Sequence, residues 1–247
     1  MGEAAPRGTL GTVHNAALLL ELLSAGPLRQ QITDLAERSG MSLATLHRLL
    51  RSLVAAGLVE QDPASSRYGL GPELLRLAEQ YRSRQPVVQA ASPFLVELRD
   101  RTEATVRLCV LVGHDTVEID RIDGDDVGGV FRDAGRVGPA LDSAAGRVLL
   151  AHADDQTWER AAGATAQAPD AAARTAWRSA THLLSPAASA ADHPEVAAPL
   201  RNGPGDVVAA LSLTGPATRL TTEAIEELAV PHLLRAATAI SRALGHA

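Results

Sequence analysis

Residues 42–56 read SLATLHRLLRSLVAA and carry the clearest helical pattern in the chain. Apolar residues recur with the i, i+3, i+4, i+7, i+8 spacing of one helical face, at Leu46, Leu49, Leu50, Leu53 and Val54. The opposite face is polar and basic, with Thr45, His47, Arg48, Arg51 and Ser52. Ser42 is a residue type that caps helices, and Gly57 is one that ends them. The stretch predicts a helix that buries leucines and exposes two arginines.

The segments around this helix predict a winged helix-turn-helix. A densely apolar helix is expected over 13–23, followed by a short helix that starts near Thr33 and ends at Gly40. Downstream, two strand-like runs at 58–61 and 67–70 flank the polar turn at 62–66. Two helices joined by a tight turn, followed by a hairpin, make this motif in outline. We assign it to residues 8–71, and a helical linker to 72–85.

The remaining chain, 86–247, predicts a second domain of the α+β class with an antiparallel sheet. A helix interrupted near Pro93 is expected over 87–102, and helical spacing recurs over 142–153, in parts of 154–179, and from Thr221 or Thr222 to about Leu244. The strands expected from alternation and turn residues are 105–112, 116–122, 127–131, one at Val137, 196–200 and 207–213.

Composition excludes several classes of protein. The chain has 247 residues, enough for two domains, and 46% of them are hydrophobic, as in globular proteins. Cys109 is the only cysteine, which excludes an internal disulfide and a multi-cysteine zinc site. Apolar runs are too short to span a membrane, and the N-terminus has no secretion signal, so we expect a cytoplasmic protein.

Charge is distributed unevenly along the chain. The formal net charge is −6, yet residues 1–84 hold nine arginines against eight acidic residues. The acidity therefore lies in the second part of the chain. Because the distribution of charge matters more than its total, the first part remains suited to nucleic acid.

At this point the sequence resembles the IclR family of bacterial transcription regulators over nearly the whole chain. The motifs that carry the resemblance are LHRLLRSL at 46–53, GLVE at 57–60, RYGLG at 67–71, IDR at 119–121, GR at 135–136, SAAGRVLLA at 143–151, VAAP at 196–199, AALSLTGP at 209–216 and RLT at 219–221. The resemblance implies a winged helix-turn-helix that reads DNA and a GAF-like domain that binds a small-molecule effector. It also implies a homodimer or homotetramer that regulates metabolic genes without a cofactor, a metal or a membrane.

The predicted recognition helix supplies the candidate DNA contacts. Major-groove recognition needs donors and acceptors near the helix N-terminus, and positive charge toward phosphates. The residues that meet this need are Ser42, Thr45, His47, Arg48, Arg51 and Ser52, with Arg67 of the hairpin as a phosphate or minor-groove contact. A solvated polar face of an ordinary surface helix is the alternative. Leu43 and Ala44 stand where the family usually has a polar or basic pair.

The candidate effector site centres on a predicted helix N-terminus at Ser143, Ala144 and Ala145, whose free N–H groups would face a ligand. The resemblance adds Ser185, Glu195, Ser212 and Thr214 as pocket residues. Glu195 stands where the family often has a cysteine, and its charge would repel carboxylate effectors unless it is protonated or paired. A plain helix cap at Ser143 and a strand face at Ser212 and Thr214 are the alternatives.

Two other functions compete with this hypothesis. A hydrolase could use Ser143 as nucleophile with His193 or His152 as base, but the sequence has no G-x-S-x-G elbow. P-loop, dinucleotide and H-E-x-x-H motifs are missing as well, so we do not expect an enzyme. The second alternative is a sensor that regulates without binding DNA. Arg48→Ala distinguishes it, because for such a protein the substitution would alter no DNA affinity.

Overall fold

The computed structural model describes residues 11–124, 136–165, 168–185 and 193–246. Contacts between Cα atoms divide the chain into two units, Met1–Arg82 and Ser83–Ala247. The strand expected at 127–131 lies outside the described residues.

The first unit is a helix-turn-helix followed by a two-stranded hairpin, as the sequence predicts. Its elements are α1 (Gly11–Ala25), α2 (Ile32–Ser39), α3 (Leu43–Ala55), β1 (Val59–Gln61), β2 (Tyr68–Leu70) and α4 (Glu73–Ser83). The turn between α2 and α3 begins at Gly40, whose φ of 69° is left-handed. Its N–H donates to the Ala36 carbonyl, which closes α2 as a C-terminal glycine does.

Leucines of α3 form the centre of this unit. Leu46 and Leu50 are fully buried, and they pack in one cluster with Leu19 of α1 and Leu35 of α2. Gln30 ties the hairpin to this core, since its backbone N–H and carbonyl both pair with Tyr68. Its side-chain amide donates to carbonyls at the end of α1, and Arg38 donates to its Oε1 at 2.6 Å. The core therefore fixes which face of α3 remains outside.

The second unit is built on one antiparallel sheet with the strand order β5-β4-β3-β8-β7-β6. Its strands are β3 (Thr105–Val112), β4 (Asp115–Ile122), β5 (Val137–Pro139), β6 (Leu183–Ser185), β7 (Glu195–Arg201) and β8 (Val207–Thr214). Its helices are α5 (Pro86–Thr102), α6 (Ala144–His152), α7 (Asp155–Gly163), α8 (Ala171–Ser179), α9 (Thr222–Ala224) and α10 (Val230–Ala243). These elements confirm the α+β class.

Helices cover both faces of this sheet. On one face, α5 and α10 bury a core that includes Leu95, Leu211 and Leu233. On the other face, α6 packs Ala144 and Val148 against Ala197 and neighbouring residues of β3 and β8. The N-terminus of α6 therefore meets the sheet on a face whose residues are smaller.

Two expectations need correction. The predicted interruption at Pro93 is wrong, because α5 is continuous from Pro86 to Thr102. Its apolar face packs on the sheet, and this packing outweighs the hydrogen bond that a proline cannot donate. The strand β6, which the sequence did not indicate, pairs with the start of β7. Thr221 caps the terminal helical run, which contains a π-helical turn over Ile225–Ala229 just before Pro231.

Candidate functional site

The polar face of α3 is exposed. Ser42 caps the helix, since its Oγ accepts from the Thr45 N–H at 3.2 Å, and the same Oγ donates to Thr45 Oγ1 at 3.0 Å. Ser52 Oγ donates to the Arg48 carbonyl at 3.1 Å. Thr45 is half-buried, whereas His47, Arg48 and Arg51 point to solvent.

The two α3 arginines have no carboxylate partner within the described part of the chain. Some other arginines of this unit do have one. Arg29, for example, pairs with Glu60 at 2.5 Å, and Arg76 pairs with Glu73. The charge of Arg48 and Arg51 is therefore available for phosphates or guanine edges, as a recognition helix needs.

The hairpin presents a further cation, Arg67, immediately before β2, and this side chain is exposed. Its carbonyl accepts from the Asp62 N–H at 2.8 Å, which closes the hairpin turn. Asp62 in turn accepts from the N–H groups of Ala64 and Ser65. The turn is thus held by its own hydrogen bonds, and Arg67 projects from a defined loop.

In the second unit a cavity of about 130 Å³ lies beside the N-terminus of α6. Ten residues from β3, β4, β5, β7, the position before β5 and the segment before α6 line it: Arg107, Cys109, Thr116, Glu118, Arg136, Gly138, Pro139, Asp142, Ser143 and Glu195. We call it the Glu195 cavity. Seven of these ten residues have polar or charged side chains, which can fix the orientation of a ligand.

The Glu195 carboxylate binds the N-terminus of α6, where the sequence analysis predicted free N–H groups for a ligand. Its Oε2 accepts from the Ala144 N–H at 2.7 Å, and Ser143 Oγ accepts from the Gly146 N–H at 2.9 Å. The expectation of a free N–H at Ala144 is therefore wrong, because the carboxylate of this chain takes the favourable anion position. Glu195 Oε1 is buried without a hydrogen-bond partner among the described residues.

A second buried carboxylate, Glu118, lies in the same cavity between two arginines. Arg107 Nε is 3.4 Å from Glu118 Oε2, and Arg121 Nη1 is 3.9 Å from Glu118 Oε1. Burial raises the pKa of Glu118, and Arg107, Arg121 and Arg136 counteract this shift. No described residue forms a hydrogen bond with Glu118 Oε1 or Thr116 Oγ1. The side chains that line this cavity thus include buried carboxylate oxygens, a hydroxyl and the Arg107 Nε donor that lack a hydrogen bond among the described residues, as expected where a polar ligand binds.

The remaining candidate residues lie near this cavity but do not line it. Ser185 and Thr214 both pair in register with Glu195, and Ser212 pairs with Ala197. Thr214 Oγ1 donates to the Pro194 carbonyl at 3.1 Å, so its hydroxyl proton is already used. Ala144 and Ala145 are fully buried in the contact of α6 with the sheet.

Among the polar residues of the cavity, the sequence analysis did not identify Arg107, Thr116, Glu118 and Arg136 as site residues. A signal for Arg107 exists, since it alternates with Val106 and Leu108, which face the apolar core. A charged residue on the second face of a strand covered on both sides indicates a polar cavity there. Arg136 has no such pattern and follows residues outside the described ranges.

Gly146 is required where α6 approaches the turn before it. An added Cβ would overlap the Ala140 carbonyl oxygen and the Thr116 hydroxyl, so the backbone or Thr116 would have to move. We expect Gly146→Ala to lower the free energy of unfolding by roughly 1–3 kcal/mol, as overpacking does, in urea titrations followed by circular dichroism. Gly138→Ala is the control, because no atom lies within 4 Å of its Cβ position. Equal stability of the two variants would contradict this tight fit.

We also considered whether the described residues could serve as a catalytic nucleophile or bind a metal. None of its described lining residues is a histidine that could activate Ser143. Cys109 is buried, and burial together with Glu195 raises the pKa of its thiol, which keeps it protonated. Among the described residues no cluster of potential metal ligands occurs, and none of the described helices has the length and apolar character of a membrane span.

Two family models match separate parts of this chain. Residues 12–63 match the IclR helix-turn-helix domain, and residues 79–180 match the C-terminal domain of the bacterial transcriptional regulator IclR. The HTH-type transcriptional regulator XynR of Escherichia coli is 30% identical over 246 residues, covering 95% of this chain and 97% of that protein.

Two further similarities also extend over almost the full length. The glycerol operon regulatory protein of Streptomyces griseus is 29% identical over 95% of this chain and 96% of its own length. A crystal structure of an ICLR transcriptional regulator from Silicibacter sp. TM1040 superposes with a TM-score of 0.80 at 28% identity, covering 96% of this chain and 97% of that one.

Proposed function

Because this chain belongs to the IclR family of bacterial transcription regulators, we propose that a small molecule bound in the Glu195 cavity controls how tightly it holds its operator. The protein is a transcription regulator whose N-terminal helix-turn-helix binds DNA. What we add is the ligand site, the residues that contact DNA, and the link between them.

For DNA contact we propose α3 as the recognition helix. Arg48 or Arg51 would pair with guanine in the major groove, and Ser42, Thr45, His47 and Ser52 would contact nearby bases or phosphates. Arg67 would reach the backbone beside the groove. The observation that supports this assignment is the exposure of both arginines without a carboxylate partner within the described residues.

One protomer can neutralise few phosphates, because its first 84 residues carry nine arginines against eight acidic residues. We therefore propose a homodimer or homotetramer acting in the cytoplasm. Two recognition helices would then read half-sites about 34–36 Å apart, one turn of DNA. The predicted linker helix, which α4 overlaps, would join the DNA-binding domain to the effector domain.

The single observation that carries the ligand proposal is the buried Oε1 of Glu195, which has no partner among the described residues and belongs to a side chain that lines the Glu195 cavity. A buried carboxylate oxygen is costly unless it is hydrogen-bonded, so a molecule that donates to it would bind with a gain in free energy. An effector that binds one arrangement of the protein more tightly than another shifts the population between them.

The experiment separates DNA recognition from ligand control. Fluorescence anisotropy with DNA from upstream of the gene for this protein, competed by random DNA of equal length at two salt concentrations, should show salt-sensitive binding that survives the competitor. Cys109→Leu, which places a larger side chain in the Glu195 cavity, should change operator affinity by about fivefold or more if occupancy is coupled to DNA binding. A folded variant with unchanged operator affinity would contradict the coupling.

A further inference from the structure

A second cleft of about 440 Å³ opens in the unit Ser83–Ala247, at the end of β7 beyond its pairing with β6. Side chains from three elements contribute cations to it: Arg178 of α8, Arg201 of β7 and Arg242 of α10. His246 and the hydroxyls of Thr181 and Ser241 also lie on its wall. None of these residues lines the Glu195 cavity.

The charge of this cleft contrasts with that of the unit around it. Residues 83–247 hold fifteen arginines against twenty-one acidic residues. Yet none of the described residues that line the cleft is acidic, and no ion pair is found for Arg178, Arg201 or Arg242 within the described ranges. The positive charge of three guanidinium groups is therefore concentrated at one concave surface.

Two of the arginines are held in place by neutral acceptors. Arg201 Nη1 donates to the Gly205 carbonyl at 2.9 Å, and its Nη2 donates to His152 Nε2 at 3.3 Å. Arg178 donates to the carbonyls of Ala151 and Ala153 at the end of α6. Because a guanidinium has five N–H donors, each keeps donors for another acceptor. Such bonds fix the side chain without neutralising its charge.

The pKa of His152, which bonds to Arg201 of the cleft, is affected by the nearby positive charge. Its Nδ1 donates to the Val148 carbonyl at 2.9 Å, which leaves Nε2 to accept from Arg201. Burial lowers the pKa of His152, the hydrogen bond to Val148 partly opposes this shift, and Arg201 and Arg178 lower the pKa further. No carboxylate offsets this effect, so the ring stays neutral and adds an acceptor rather than another charge.

A structural role explains only part of the arrangement. Arg178 caps the carbonyl end of α6, where a cation is favourable whether or not a ligand binds. Arg242 has no such role, since it is exposed and makes no side-chain hydrogen bond among the described residues. Its position on the same cleft as two anchored arginines is what a multiply charged anion would require.

We propose that this cleft is a second ligand site, separate from the Glu195 cavity, and that it binds a small phosphorylated anion. Three guanidinium groups match a phosphate, which carries two charges and three acceptor oxygens, better than a singly charged carboxylate. Leu234, Pro199 and Ala237 supply an apolar wall for the organic part of the ligand. The volume lies within the usual range for small-molecule sites, roughly 300–1,000 Å³.

The test is calorimetric titration of the full chain with inorganic pyrophosphate at low salt. We expect binding to the wild type, and a loss of about tenfold or more in affinity for Arg242→Ala, the cost of one charge-assisted hydrogen bond. Arg235→Ala is the matched control, because Arg235 lies on the same helix but does not line the cleft. Its affinity for pyrophosphate should equal that of the wild type.

Three results would overturn the proposal. The absence of any heat of binding with pyrophosphate up to about 10 mM would exclude a phosphate site of useful affinity. Equal weakening in Arg242→Ala and Arg235→Ala would indicate a general effect of net charge. Loss of operator affinity in Arg242→Ala with unchanged pyrophosphate binding would assign the cleft to the DNA backbone instead.

Discussion

Replacing Arg48 and Arg51 together with alanine is expected to lower operator affinity by about a hundredfold or more while leaving the fold intact. A bidentate arginine contact to guanine contributes about 1–3 kcal/mol, and a phosphate contact adds its own salt-dependent share. Both side chains are exposed, and alanine is a strong helix former, so α3 should remain stable. The buried leucines on its other face are untouched.

The measurement is fluorescence anisotropy with operator and random DNA at several salt concentrations. If an arginine contacts a base, its replacement should remove the preference of the protein for operator over random DNA. If it contacts a phosphate, its replacement should weaken binding to both DNAs and lower the salt slope by about one. The control removes the same charge elsewhere, with Arg76→Ala and Arg235→Ala combined, neither of which lies on α3 or the hairpin. Unchanged affinity in Arg48→Ala, Arg51→Ala and the double variant would exclude α3 as the recognition helix.

The N-terminus of α3 bears on the same experiment. Leu43 is 48% exposed and Ala44 is exposed, at the two positions where the family usually has a polar or basic pair. Apolar side chains at this position can touch the methyl group of thymine. The helix can therefore read a base pair here without a polar side chain, and Ser42 keeps its capping role beside them.

The first unit was predictable because its signals are local. The leucine spacing of α3, the cap at Ser42 and the left-handed Gly40 are each encoded within a few residues, and the structure confirms all three. The predicted helix interruption at Pro93 was wrong, because packing of α5 on the sheet outweighs the local preference of proline. Secondary structure that depends on a distant surface cannot be read from its own residues.

The Glu195 cavity was harder still to predict, because it depends on contacts between residues far apart in the sequence. Glu195 and Ala144 are 51 residues apart in the chain, yet one hydrogen bond between them decides whether the end of α6 can receive an anion. Sequence reasoning identified both residues but expected a free N–H. Glu118 and Arg107 were missed because their pairing joins two strands, and only the register of β3 against β4 brings them to the cavity.

Replacing Glu195 with glutamine should invert the ligand preference of this cavity. The amide oxygen can keep the bond to the Ala144 N–H, so the amide nitrogen takes the place of Oε1, which has no partner among the described residues. An acceptor that repels carboxylates would thereby become a donor that binds them. Glycerol and glycerate are suitable probes, because they share a carbon skeleton and differ by one carboxylate.

We expect Glu195→Gln to shift the ratio of glycerate to glycerol affinity by about tenfold or more toward glycerate, as measured by calorimetry. Asp206→Asn is the control for net charge, since Asp206 does not line the Glu195 cavity. The same ratio in all three proteins, or no binding of either probe to any of them, would remove Glu195 from ligand selection. A shift confined to Glu195→Gln would instead establish that this chain carries its own carboxylate where a carboxylate ligand would otherwise sit, so that its effector must donate hydrogen bonds.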